Sequence, residues 1–216
     1  MNGASVRKPM SASPLRGERA TTSPNILSSD LEFDRVYEKE IRKLSMQHWT
    51  PVGIAARAAA LLTEAGATRI LDVGSGVGKF CIVGALTTEA EFVGVERRPH
   101  LVEIARRTAA GFGATRATFV EGNADGFSFE GFDGIYLYNP FYEQISQFLV
   151  QIDDSIERSV LTFRHFVRST TSKLAALAAP VAVMTYNGFG GDLSPEYSVI
   201  VSEPAGSDWL ELWIKR

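Results

Sequence analysis

Arg69-Ile70-Leu71-Asp72-Val73-Gly74-Ser75-Gly76-Val77-Gly78-Lys79-Phe80 is the stretch on which the fold of this chain turns. Ile70, Leu71 and Val73 form a short apolar run of the kind a strand buried on both faces presents, and a helix-like apolar stretch opens at Lys79. Between them stand three alternating glycines. At a strand-to-helix junction, glycine lets the backbone approach a ligand closely, and the first helical N–H groups face that ligand. The spacing is G-x-G-x-G, not the G-x-G-x-x-G of dinucleotide sites. Nor is it a P-loop: three residues separate Gly74 from Gly78-Lys79, and Phe80 stands where Ser or Thr would hold magnesium. Without a ligand the same glycines would make a tight turn, but three exceed what a turn needs.

Outward from this stretch, Glu91-Phe92-Val93-Gly94-Val95-Glu96 reads as a second buried strand ending in a carboxylate. Glu96 lies twenty positions after Gly76, where an acid can accept hydrogen bonds from a ribose diol. Further strands are expected at 117–121, 134–138 and 181–186, with helices at 79–87 and 99–110, the latter starting on Pro99. Upstream, Leu31, Phe33, Val36, Tyr37, Ile41 and Leu44 recur at mostly helical spacing. A second helix is expected from Thr50 as N-cap and Pro51 as first residue to about Glu64, ended by Gly66. A short helix is expected over 141–150, and a long amphipathic one over 152–177 with Ile156, Val160, Phe163 and Val167 inward. Two strands, 197–203 and 209–215, flank the turn Pro204-Ala205-Gly206-Ser207-Asp208.

The 216 residues suit one domain plus an extension: a tail at 1–28, N-terminal helices at 29–66 and the main domain at 67–216. The net charge of −3 gives no global basic character, yet residues 1–28 carry Arg7, Lys8, Arg16 and Arg19 against Glu18 alone. That tail is rich in Ser, Pro, Ala and Arg, and it reads as disordered rather than as a transit peptide, for want of amphipathic spacing. The single cysteine, Cys81, excludes an intramolecular disulfide and a cysteine-built zinc site, and points to a reducing, cytoplasmic setting. No metal site is expected. No apolar run approaches the roughly 18–20 residues of a membrane span.

Both motifs together, D-x-G-x-G-x-G after one strand and an acid ending the next, resemble class I S-adenosylmethionine-dependent methyltransferases. The resemblance implies a doubly wound, mostly parallel seven-stranded α/β sheet with a terminal antiparallel hairpin, and S-adenosylmethionine as cofactor. It also implies cofactor contacts from Asp72, Gly74, Ser75, Gly76, Gly78, Glu96 and Arg97. Asp72–Gly78 with Gly94-Val95-Glu96 is also similar to the non-SET histone-lysine methyltransferases. Glu121-Gly122-Asn123-Ala124-Asp125 resembles the family's G-D-A segment, which implies adenine contacts from Asn123, Ala124 and Asp125, with Asn in the usual aspartate place.

Asn139-Pro140-Phe141-Tyr142, ending the fourth strand, resembles the N-P-P-F/Y motif of methyltransferases that modify planar amino groups. This implies that Asn139 and the Pro140 carbonyl hold the amine's hydrogens while Phe141 or Tyr142 stacks on the target. The chain has one proline rather than two, and its aromatic comes one place early. Gln47-His48-Trp49-Thr50-Pro51 resembles the T-P segment laid over the methionine end of the cofactor, which implies contacts from Trp49 and Thr50. Of the histidines, His48 reads as a surface or capping residue, and His100 and His165 as structural. Asn187–Asp192, with three glycines around Phe189, suits either a mobile flap or a plain loop.

The expected reaction is in-line methyl transfer to a nitrogen of a protein or small molecule. Nucleic acid is a weaker alternative that rests on the tail. Competing readings are an NAD(P)-dependent oxidoreductase, disfavoured by the glycine spacing and the lack of a Tyr-x-x-x-Lys pair, and a non-catalytic binding protein of the same fold.

Overall fold

The computed structural model describes residues 27–216, so the expectation for the tail falls almost wholly outside the described residues. Seven strands form one sheet in the order β3-β2-β1-β4-β5-β7-β6. They are β1 (Arg69–Val73), β2 (Glu91–Glu96), β3 (Ala117–Glu121), β4 (Gly134–Tyr138), β5 (Val181–Tyr186), β6 (Tyr197–Ala205) and β7 (Asp208–Lys215). Strands β1 to β5 pair in parallel. β7 runs antiparallel between β5 and β6. This is the class I methyltransferase sheet, Rossmann-like with an antiparallel end.

Both faces of the sheet are covered, and the side-chain period of two divides the strands between them. Ile70, Phe92, Tyr136 and Met184 point to one layer with α3 (Val52–Glu64), α4 (Lys79–Thr87) and α5 (Pro99–Phe112). Leu71, Val93, Ile135 and Val183 point to the other, against α6 (Val160–Ala176). α4 is buried almost all round, which fits its nearly continuous apolar sequence. The upstream residues join the first layer through α1 (Asp30–Phe33), a 3-10 turn at Asp34–Val36 and α2 (Lys39–His48); Phe33 is fully buried there.

A buried cation fastens this segment to the core. Lys79, at the first position of α4, is 2% exposed and donates to Asp34 Oδ1 at 2.8 Å and to Ser45 Oγ at 3.3 Å. It also pairs with Asp30, whose carboxylate caps α3 by accepting from the Val52 N–H at 2.9 Å. The cap expected of Thr50 therefore belongs to Asp30. Thr50 turns inward instead and shares a hydrogen bond with the Tyr136 hydroxyl, 3.0 Å away.

Two helix expectations are corrected. In place of a helix over 141–150 there is one 3-10 turn, Tyr142–Gln144. Beyond it, side chains take the N–H groups a helix would need: Ser146 Oγ accepts from Phe148 and Leu149, and Gln47 Oε1 from Val150. The long helix begins only at Val160, where Ser159 caps it through the Thr162 N–H; before that, Glu143 holds the Ile152 N–H and Asp153 forms its own turn with Ser155.

Candidate functional site

The glycine loop is closed by its neighbour in the sheet. The N–H groups of Gly74 and Ser75 both donate to the Val95 carbonyl, at 2.9 and 3.0 Å. Gly74, Gly76 and Gly78 have φ of 79°, 54° and 79°, in the left-handed region that favours glycine. Each also permits a close approach. A Cβ on Gly74 would lie 3.2 Å from the Pro140 ring, and one on Gly76 would lie 2.4 Å from the Trp49 ring. One on Gly78 would collide with Phe119 and Ala105, away from the cavity. Gly78 thus serves helix packing, while Gly74 brings the end of β4 down onto the loop.

Glu96 ends β2 and is buried. Its carboxylate accepts from the Gly76 N–H at 3.0 Å and the Arg98 N–H at 2.9 Å, so it fixes the loop while each oxygen keeps room for another donor. Burial still raises its pKa above the ordinary carboxylate value, against the opposing pull of those N–H groups and the Arg98 charge. Next to it, the guanidinium of Arg97 makes no hydrogen bond or ion pair with the described residues.

These groups open on a cavity of about 330 Å³, within the usual range for a small-molecule site. Gly74, Gly76, Glu96, Arg97, Asn123, Ala124, Asn139, Pro140, Phe141, Tyr142 and Trp49 all line it, as do Val95 and Gly122. Gln47 and His48 of the segment before Pro51, and Asn187 of the loop after β5, also face it, whereas Arg98, Glu143, Gln144 and Phe166 are wall residues that sequence reasoning did not single out. Two buried polar atoms of that wall, Trp49 Nε1 and Gln144 Oε1, have no hydrogen-bond partner among the described residues.

Other expected residues lie elsewhere. Thr50, Asp72 and Ser75 sit behind Trp49, around a separate space of about 20 Å³. Asp72 is buried and accepts from the Cys81 thiol at 3.5 Å; burial chiefly, with Glu96 adding, pushes its pKa up to about 7. Asp125 faces outward to His165, 3.1 Å away. Its loop is nonetheless pinned, because Lys173 donates to the carbonyls of Ala124, Asp125 and Phe127. Phe141 does not face the cavity freely; its ring stacks on Phe166 with centroids 5.3 Å apart.

Asn139 is held in the left-handed region at φ 39°, donating its N–H to the Gly188 carbonyl at 2.9 Å and accepting from the Tyr142 N–H at 3.1 Å. Asn187, ending the adjacent β5, is left-handed too, at φ 56°. Two such non-glycine residues side by side at a cavity mouth mark backbone strain that the surroundings enforce. Behind them the Tyr138 and Tyr186 rings pack at a tilt of 34° with centroids 4.7 Å apart. Burial, then Tyr186 and Asp208, pushes the Tyr138 phenol up to about 12.

Residues 142–158 roof the cavity and are latched from both sides. The Arg98 guanidinium is buried against Glu143 at 2.7 Å and Asp153 at 3.3 Å. From α2, Gln47 takes the Val150 N–H at 3.0 Å and His48 Nε2 lies 2.7 Å from the Val150 carbonyl. No cluster of metal-ligating side chains occurs among the described residues, and none of their helices is long and apolar enough to cross a membrane.

Residues 64–181, more than half of the chain, match a protein family described as a methyltransferase domain. No curated protein matches the sequence at a significant level. Among solved structures, an RNA methyltransferase from Salinibacter ruber, determined with S-adenosyl-L-homocysteine, superposes with a TM-score of 0.54 at 20% identity, covering 77% of this chain and 92% of that one. The mitomycin 7-O-methyltransferase MmcR gives 0.56 at 16% identity, over 86% and 57%. TrmN from Thermus thermophilus gives 0.52 at 15%, over 81% and 51%. At such identities the likeness establishes the fold.

Proposed function

Because the chain belongs to the methyltransferase-domain family, we propose that it transfers a methyl group from S-adenosylmethionine to a nitrogen of a small molecule or protein. The observation that carries this reading is the convergence of the glycine loop, Glu96 and Asn139-Pro140 on one cavity. The residues fit the cofactor. Glu96 retains acceptor capacity for a ribose diol, Val95, Gly122 and Ala124 offer small walls to a flat ring, and Trp49 and Gln144 hold unpartnered polar atoms. Bound there, the sulfonium would supply an activated methyl group and a leaving group that needs no proton.

The chain's own contribution is then alignment. Lys173 holds the loop of Asn123 and Ala124 from behind. Pro140 lies against Gly74, so the acceptor-side strand end meets the cofactor-side loop directly. The Asn139 side-chain carbonyl and the Pro140 backbone carbonyl are suited to accept the hydrogens of an amine and aim its lone pair. Tyr138, keeping its proton at neutral pH, acts as a donor. The roof at 142–158 limits water and favours an acceptor that enters as a small group.

Calorimetric titration with S-adenosylmethionine, S-adenosylhomocysteine and NADH tests the reading. Micromolar binding of the first two, lost in Glu96→Ala, is expected. Binding of NADH alone would overturn it in favour of an oxidoreductase, and no binding at all would favour a non-catalytic protein of this fold.

A further inference from the structure

Methylation of nitrogen leaves a proton to be removed, and most acids and bases of the cavity wall are already committed. Glu96 is held by backbone N–H groups on both oxygens, and Glu143 by Arg98 and the Ile152 N–H. Asp72 lies behind Trp49. His48 differs. Its Nε2 is 2.7 Å from the Val150 carbonyl, and a carbonyl can only accept, so Nε2 carries the ring proton. Nδ1 therefore keeps its lone pair and has no hydrogen-bond partner among the described residues. His48 lines the same cavity as Tyr138, Asn139 and Pro140.

We propose that His48 is the proton acceptor of the transfer, taking at Nδ1 the proton that a planar, weakly basic amino group sheds as it is methylated. This rests on the methyl-transfer reading above. A planar amine is neutral at pH 7 and delocalises its lone pair, so it attacks without prior deprotonation and sheds its proton only as it is methylated, when a base of imidazole strength can take it; an alkylamine must lose its proton before it attacks. The N–CH3 bond forms as the S–CH3 bond breaks, the electron pair stays on sulfur, and the N–H proton passes to Nδ1. The resulting imidazolium keeps its Nε2–H on the Val150 carbonyl. Among the charged groups around the ring, Glu143 favours that cation while Arg98 and Arg158 oppose it; burial, the largest influence, holds the free ring neutral by lowering its pKa.

The test is long-range ¹H–¹⁵N correlation of the histidine rings from pH 5 to 9 in the S-adenosylhomocysteine complex, with His48 assigned by its disappearance in His48→Gln. The proposal expects a neutral Nε2–H tautomer at pH 7.5 and a shift of the Nδ1 resonance when millimolar aniline is added. An Nδ1–H tautomer, a charged ring at pH 7.5, or no response to aniline would overturn it. The affinity of His48→Gln for S-adenosylhomocysteine separates the two readings. It should stay within about twofold of wild type, and a tenfold loss would make His48 a cofactor-binding residue instead. Failure of the wild type to bind would sink the methyl-transfer reading itself.

Discussion

Gly74, Gly76 and Glu96 reach the cavity from two adjacent parallel strands, tied by hydrogen bonds between neighbours in the sheet. The opposite wall sets Asn139 and Asn187, which follow the adjacent parallel strands β4 and β5, against Gln47, His48 and Glu143 from segments outside the sheet; His48 and Val150, joined by one hydrogen bond, are 102 residues apart. The first wall is held along the sheet by backbone bonds and the Glu96 carboxylate, the second largely by side chains such as Arg98 that reach across to carboxylates. The half built on the glycine loop should therefore survive changes that loosen the opposite half, and the two can be separated by mutation.

The largest effect should come from the segment beneath both halves. Lys79→Met leaves the buried Asp34 carboxylate without its cation, and we expect a loss of about 3–5 kcal/mol in urea unfolding, because removing one partner strands a buried charge. A loss below about 1 kcal/mol would mean that this segment is not fastened as described.

Asp72, within β1 behind the glycine loop, allows a test through pH. Its pKa in the folded chain, about 7, lies above the ordinary 3.8, so the native state binds the proton more tightly than the unfolded state. Stability from this group is then greatest below the unfolded value and is lost as pH rises towards 7, levelling beyond it. Asp72→Asn should flatten that slope, leaving stability near pH 4 little changed and raising it at pH 8, with a ceiling of about 4 kcal/mol. Thermal melts across that range would read it.

Arg98→Met should sharpen the contrast. It removes the latch to Glu143 and Asp153 at a cost of about 2–3 kcal/mol, smaller because Asp153 remains partly hydrated. Amide exchange should accelerate over 142–158 while the glycine loop stays protected. Equal acceleration in both would show that the halves are one cooperative unit. Smallest of all, Phe148→Ser on the roof, 89% exposed, should change stability by less than about 0.5 kcal/mol.

The same contrast explains what the sequence made legible. β1, the glycine loop, α4, β3, β4 and β5 were readable because strand and helix periods and glycine spacing are local signals, and the terminal hairpin because Gly206-Ser207 sits between two β-rich runs. The helix wrongly expected over 141–150 failed because Ser146 and Gln47 compete for its N–H groups, and Gln47 is a distant partner that no window contains. His48 reads as a surface or capping residue because the Val150 carbonyl that it meets lies 102 residues away in sequence. Asp72, Thr50 and Ser75 carry the motif, yet Trp49 stands between them and the larger cavity. Asn187 was legible as the start of the loop after the fifth strand, and like Asn139 it is an Asn directly after a buried strand, a residue type that tolerates left-handed backbone.

The measurement that reaches the central claim most directly is hydrogen–deuterium exchange with and without S-adenosylhomocysteine. The account predicts strong new protection at 74–78, 96–98 and 122–124, with weaker protection spreading to 142–158 through Arg98. Unchanged exchange at the glycine loop, or protection confined to the shallow groove between Arg106 and Phe119 at the sheet edge, would contradict it.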